Sequence, residues 1–216
     1  MQIQTFSKFM IVFIVATQLS ACGIFAVGGV VAGASIMADR RTPGVQAIDK
    51  GIELEANAAL SKKFGDSAHI NVSSFNQKVL LTGEAKDANV KTEAGDYVKA
   101  MKNARSVFNE LMIGPNGSYT ARANDAYLES KIKTQMIFTE KLPSNSMSII
   151  AEGSSIYLMG ILTQNEADLA KKIASNTNGV KDVYVYFDII SETEKMRLEK
   201  QGKAESTQPS TPPKYQ

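Results

Sequence analysis

Two stretches of this 216-residue chain repeat each other at a spacing of 77. Val79-Leu80-Leu81-Thr82-Gly83 falls on Ile156-Tyr157-Leu158-Met159-Gly160, and Ile70-Asn71-Val72 falls on Met147-Ser148-Ile149 without a gap. A spacing of 76 brings Ala56 and Leu60 onto Ile132 and Met136, and Ala104-Arg105-Ser106-Val107 onto Val180-Lys181-Asp182-Val183. Self-similarity of this kind means two copies of one structural unit.

Each copy reads helix, strand, strand, helix, strand. In the first, Ile48, Ile52, Ala56, Ala59, Leu60 and Lys63 keep helical spacing with one apolar stripe. His69–Ser74 alternates as a strand, Asn76-Gln77 is a turn, and Lys78–Glu84 is a second, more apolar strand in which Gly83 signals a bulge or a close backbone approach. Val90, Ala94, Tyr97, Val98 and Met101 mark another amphipathic helix, and Arg105–Ile113 the last strand. The second copy has helices over 125–138 and 164–177 and strands over 146–151, 155–162 and 180–190, with Gly179 as a helix stop.

Two strands joined by a tight turn pair antiparallel, and a crossover helix returns the chain to a third, parallel strand. The expected fold class is therefore α+β, each unit being a three-stranded mixed sheet with two helices on one face. A unit of about 65 residues is marginal alone, so the copies should contact each other. The boundaries are units at 47–113 and 124–190 with a turn-rich linker at 114–123. Asp39–Gln46 reads as a second linker. Ser191–Ala204 is charged, and Ser191 with Glu194 three residues on suggests a capped, solvated helix. Ser206–Gln216, with its prolines, reads as disordered.

The start of the chain carries a different signal. Lys8 precedes an apolar stretch from Phe9 to Leu19, and small residues lead to Cys22, the one cysteine in the sequence. A short basic start, an apolar core of about ten residues and a small-residue cleavage point make a secretory signal. Leu19-Ser20-Ala21-Cys22 has the form of a lipobox, in which the Cys22 sulfur carries diacylglycerol and becomes the first mature residue. Phe9–Ala38 read instead as one membrane helix is interrupted by Gln18, Ser20 and several glycines, and the core before Cys22 falls short of the roughly 20 residues a span needs. Residues 1–21 are thus the expected signal peptide and 22–46 a lipidated apolar anchor and linker, tethered to a membrane without crossing it. The Gly29–Gly33 spacing matches a helix-pairing motif only weakly.

Composition and motifs narrow the function. Without residues 1–21 the chain holds 23 basic and 22 acidic residues, a balance that does not suggest nucleic-acid binding. No cysteine is left for a disulfide or for thiolate chemistry. His69 is the sole histidine and opens a strand, as a surface or edge residue. Asp66, Glu84, Asp87 and Glu93 are scattered on faces expected to be solvated, and no phosphate-cradling loop or serine elbow appears. An enzyme, a cofactor beyond the lipid on Cys22, a metal and a small-molecule substrate are all unexpected.

The lipobox, the apolar Gly/Ala/Val segment behind it and the two units closing on Gly83 and Gly160 resemble the dual BON-domain outer-membrane lipoproteins of the DolP/YraP type, over residues 40–190. The resemblance implies a non-enzymatic protein, lipid-anchored in the outer membrane and facing the periplasm, that supports envelope integrity. Gly23 after Cys22 is similar to the outer-membrane sorting pattern. It further implies anionic phospholipid binding through the first helix of the second unit, here at Tyr127, Leu128, Lys131, Ile132, Lys133, Thr134, Gln135 and Phe138. The family usually has Trp where Tyr127 stands, and Glu129 adds a negative charge. By spacing, Leu128, Ile132, Gln135 and Met136 form a core-facing stripe, whereas Tyr127, Lys131, Thr134 and Phe138 form a neighbouring one suited to a lipid interface or to plain solvent. A second class stays open: an adaptor whose sheet edges or charged tail contact an outer-membrane assembly protein.

Overall fold

The computed structural model describes residues 39–207. The expected signal peptide, Cys22 and its apolar anchor, and the tail from 208 onward lie outside the described residues. The first unit comprises α1 (Pro43–Phe64), β1 (Ala68–Phe75), β2 (Lys78–Ala85), α2 (Ala88–Lys99), β3 (Ser106–Asn109) and β4 (Met112–Ile113). The second comprises α3 (Tyr119–Ile137), β5 (Met147–Glu152), β6 (Ser155–Leu162), α4 (Gln164–Ser175) and β7 (Val183–Ile189), and α5 (Glu192–Thr207) follows. β1 pairs antiparallel with β2 and β3 parallel with it; β5, β6 and β7 repeat that arrangement. The fold is α+β, with two mixed sheets in the expected order.

The last strand of the first unit is broken. Lys78 partners Ser106 and Glu84 partners Met112, so the register resumes after the break. Between them the Asn109 side chain competes with the ladder. Its Nδ2 donates to the Lys91 carbonyl at 2.7 Å and its Oδ1 accepts from the Leu111 N–H at 3.4 Å. Leu111 drops into the core as a result.

The helix-side core of the first unit is built on Ile52, Ala56, Leu60, Val79, Leu81 and Val98. The equivalent core of the second is Leu128, Ile132, Met136, Ile156, Leu158 and Ala170. The repeated glycines are dictated by contact. Gly83 has φ +111°, and a Cβ there would collide with the His69 carbonyl oxygen on β1. At Gly160 a Cβ would lie 2.9 Å from the Ser146 carbonyl oxygen and 3.0 Å from the Met147 Cβ.

A second shared device lies between helix and hairpin. Asn76-Gln77 and Gly153-Ser154 both have positive φ at each residue, as a two-residue hairpin turn of matching twist requires. Buried Asp49 accepts the Asn76 and Gln77 N–H groups at 2.8 and 2.7 Å. Asp125, its counterpart in α3, accepts those of Gly153 and Ser154 at 3.0 and 2.8 Å. Each carboxylate ties its first helix to the turn and satisfies donors that the sheet leaves unpaired.

The expected contact between copies is an apolar layer. Alternate residues of β2 and β6 point away from their own helices, and Phe75, Leu80, Tyr157, Met159 and Ile161 form a buried cluster there. Phe108 and Tyr186 meet with ring centroids 4.2 Å apart. Around this layer Asp188 receives Lys78, Arg105 and Asn76 at 3.0, 2.6 and 2.9 Å. Tyr186 donates its hydroxyl to Glu110 at 2.7 Å, and Asn71 donates to Glu152 at 3.1 Å. Both faces of β2 and β6 are covered, hence their near-continuous apolar sequences.

Four expectations need correction. Asp39–Gln46 is no loose linker, because α1 begins at Pro43 behind the Thr42 cap and Arg40 is only 5% exposed. Arg40 makes a two-pronged ion pair with Glu166 at 2.7 and 2.9 Å, donates to the Ile161 carbonyl at 2.9 Å and reaches Glu199 at 3.1 Å. α5 is likewise not simply solvated: Leu198 packs on the inter-unit layer and Lys195 pairs with Glu166 at 2.8 Å. Ser191 caps it through the Glu194 N–H, while the Glu194 carboxylate turns to Arg197. Glu84 is buried rather than solvated. Finally, α3 starts at Tyr119, inside the expected 114–123 linker, because Ser118 accepts the Ala121 N–H at 3.1 Å.

Two predictions follow from these contacts. Gly83→Ala should destabilise by about 3 kcal/mol, from strained φ plus a backbone clash, and Gly160→Ala by less; urea unfolding measures both. Burial alone would raise Glu166, but hydrogen bonds from Arg40, Lys195 and the Thr163 N–H outweigh it and hold the carboxyl at about 2. A depressed folded value contributes stability at neutral pH that is lost as pH falls from about 4.5 through about 2. Glu166→Gln should therefore lower stability at pH 7 by about 2 kcal/mol and flatten the stability profile across that window in acid titrations.

Candidate functional site

α3 is apolar on two opposite sides. Its inner side carries Asp125, Leu128, Ile132 and Met136, all buried. At 100° per residue the outer side carries Tyr119, Tyr127, Thr134, Ile137 and Phe138. Tyr119 is 90% exposed, Phe138 77%, Tyr127 60% and Ile137 41%. Surface apolar residues scattered singly are ordinary, but four along one face of one helix form a patch.

The patch has basic neighbours. The Lys131 ammonium sits 5.6 Å from the centre of the Tyr127 ring, within range of a cation–π contact. Lys133 and Thr134 are exposed, and the Thr134 hydroxyl donates to the Ser130 carbonyl at 2.8 Å, leaving its methyl on the outer side. Glu129 lies at the edge of these groups, within reach of Lys133. It lies on the flank toward β5, where burial raises its pKa while Lys133 and the Ala151 N–H pull it down.

The eight residues singled out from the sequence therefore divide. Tyr127, Lys131, Lys133, Thr134 and Phe138 share the accessible side. Leu128 and Ile132, 1% and 0% exposed, are sealed against the sheet and cannot touch a ligand in this fold, which corrects their assignment to lipid contact. Gln135 is at the margin and accepts the Thr177 hydroxyl at 2.9 Å, bracing α3 against the end of α4. Tyr119 and Ile137 were missed. Tyr119 reads as linker unless Ser118, after Pro115-Asn116-Gly117, is recognised as a helix cap. Ile137 stands 18 residues, five whole helical turns, after Tyr119, and so joins that side once the helix is drawn from Tyr119.

Other concave or polar places are poorer sites. A groove of about 470 Å³ runs between α1 and the start of β1, and His69 is the one titratable residue lining it. Burial, then Arg122, lowers the His69 pKa, with Glu84 opposing them. Among the described residues no group of His, Cys, Asp and Glu is arranged to hold a metal ion, and no helix is long and apolar enough to cross a membrane.

The BON domain family matches twice, at residues 48–115 and 124–190. The chain is 30% identical to Outer membrane lipoprotein DolP of Haemophilus influenzae over 171 residues, covering 78% of this chain and 89% of that protein. It is 27% identical to the 21 kDa hemolysin of Actinobacillus pleuropneumoniae over 147 residues, 67% of this chain and 76% of the other. A solved structure of CdsD, a structural protein of the Chlamydia trachomatis type III secretion system, aligns over 69% of this chain and 68% of that one. Its identity is 14% and its TM-score 0.27, too low to carry an argument. With two BON matches spanning both repeats and a relative aligned along most of its length, this chain belongs to the dual BON-domain, DolP-like family.

Proposed function

We infer that this protein is a lipid-anchored, non-catalytic module of the outer membrane, facing the periplasm. It binds anionic phospholipid with the outer side of α3 and so supports envelope integrity. The observation that carries this reading is the stripe Tyr119, Tyr127, Ile137 and Phe138, exposed opposite the core and flanked by Lys131 and Lys133. Aromatic rings settle at the headgroup level, and lysines there attract anionic lipid. The lipobox at Cys22 and the name of the Haemophilus relative support the location. An acyl tether keeps even a weak second contact occupied through local concentration.

The adaptor reading, with an outer-membrane assembly protein docking on a sheet edge or on the charged tail, has less support. On β7 the Lys78 ammonium already occupies the Tyr186 and Phe187 carbonyls, at 3.3 and 2.9 Å. The described part of the tail is engaged internally through Lys195, Leu198 and Glu199.

Vesicle co-sedimentation of the unlipidated protein from residue 39 tests the proposal. Wild type should bind vesicles containing phosphatidylglycerol and leave neutral ones in solution. Tyr127→Ala with Phe138→Ala, and separately Lys131→Glu with Lys133→Glu, should each weaken binding at least about tenfold. Neither pair should change stability by more than about 0.5 kcal/mol per site, whereas Leu128→Ala should cost about 3 kcal/mol. Lipid-independent wild-type behaviour would send the search to protein partners.

A further inference from the structure

α1 seals one end of the β1 edge and leaves the other open. The Lys86 N–H donates to the Ser67 carbonyl at 2.9 Å, which fixes the alternation of the hairpin. Odd-numbered residues of β1 bond to β2, and Ala68, Ile70, Val72 and Ser74 turn their N–H and C=O groups outward. One residue per turn of α1 answers them. Next to Asp49 at the hairpin turn, Glu53 accepts the Ser74 N–H at 3.0 Å. Asn57 takes both groups of Val72, accepting its N–H at 3.3 Å and donating to its carbonyl at 3.4 Å. Ser61 comes next in the series and is too short to repeat this. The Ala68 N–H turns back to the Gly65 carbonyl. Among the described residues nothing bonds the Ala68 carbonyl or either backbone group of Ile70. The groove of about 470 Å³ lies over this open end, between Asn57, Ala58 and Ser61 on α1 and Ala68 and Ile70 on β1. At the spacing of 76, Lys133 and Ile137 stand in place of Asn57 and Ser61, so the second unit does not repeat the device.

We propose that this open end is a docking site for an extended, uncharged segment of a partner protein, which adds to β1 as an outer strand across Ile70. The Asn57 amide shows the chemistry that the edge accepts. It gives and takes a hydrogen bond at one residue, as a peptide unit of a paired strand does. The open groups at Ala68 and Ile70, two residues apart, fit a segment of about three residues in the β conformation. An occupant that covered them without its own N–H and C=O groups would leave them buried and unpaired, at a cost in free energy. The lining also selects against charge. His69 is its one titratable residue, and burial, then Arg122, holds it below its ordinary value and neutral at pH 7. Leu60 and Ile70 give the groove an apolar side, and the small Ala58 and Ser61 leave room above it. A lining so plain offers little to a small molecule or to a reaction, whereas strand addition draws its affinity from the backbone. The site belongs to the first unit and does not rest on the lipid reading.

Amide hydrogen exchange, read by NMR on the mature unlipidated chain from Cys22 to Gln216, tests the site. The probes are a blocked Thr-Val-Thr-Val-Thr peptide, the same peptide N-methylated at its three central residues, and a version with both valines replaced by glutamate. Exchange at Ile70, fast in the free protein, should slow at least about tenfold on saturation with the neutral peptide. Exchange at Val72, already held by Asn57, should change far less. The N-methylated and glutamate peptides should bind at least about tenfold more weakly. Ala58→Arg, at an exposed position, fills the groove, and Ser61→Gln carries the Asn57 series on to Ile70. Each should lose peptide binding to a similar extent and leave vesicle behaviour unaltered. Unslowed exchange at Ile70, or equal binding of the N-methylated peptide, overturns strand addition; that comparison uses wild type and holds even should a variant lose its fold. Equal binding of the glutamate peptide overturns the selection for an uncharged segment. Slow exchange at Ile70 before any peptide is added assigns the groove to this chain or to a second copy and overturns the partner.

Discussion

The structure depends on one apolar layer, where β2 of the first unit and β6 of the second turn their outer residues toward each other. A sheet covered by helices on one face leaves the other face wet, and a unit of this size buries too little to be secure alone. Phe75, Leu80, Tyr157, Met159 and Ile161 close that deficit. They also decide which surfaces stay free. With both sheets occupied on both faces, the outer side of α3 is left carrying aromatic residues that the core does not need. Asp188 and Lys78 then fix the angle of the two units from the rim.

Much of this was legible in the sequence. The repeat at 76–77 residues gave the element order twice, and the pairing of Gly83 with Gly160 marked the place where the two strands of each hairpin approach closely. The BON resemblance is matched by the family comparison over both units. The misses share a physical cause: polar residues whose partners lie far away in sequence. Nothing local in Asp39-Arg40-Arg41 reveals that Arg40 ends beside Glu166, and Asp49 and Asp125 look like ordinary solvated helix carboxylates until the turns they hold are seen. Helix boundaries erred for a related reason, since Ser118 caps α3 by one short hydrogen bond that composition does not advertise.

The candidate site was half legible. Spacing separated Leu128, Ile132, Gln135 and Met136 from Tyr127, Lys131, Thr134 and Phe138, and burial follows that division except at Gln135, which is exposed. Assigning Leu128 and Ile132 to lipid contact confused a stretch of sequence with a face of a helix. Gln135 shows the opposite difficulty, because its partner Thr177 lies 42 residues away on the end of α4. Whether an exposed aromatic is an anchor or an accident is not written in its own neighbourhood; Tyr119 and Ile137, aligned with the others only once the helix is drawn from its true start, make the patch coherent.

The central claim is that the second unit meets anionic lipid through the outer side of α3 while the inter-unit layer stays intact. Amide hydrogen exchange of the mature protein, with and without phosphatidylglycerol vesicles, tests it most directly. The account predicts added protection confined to residues 119–138, with β2 and β6 unchanged. Protection appearing on α1 of the first unit, or a loss of protection across β2 and β6 on adding lipid, would contradict it.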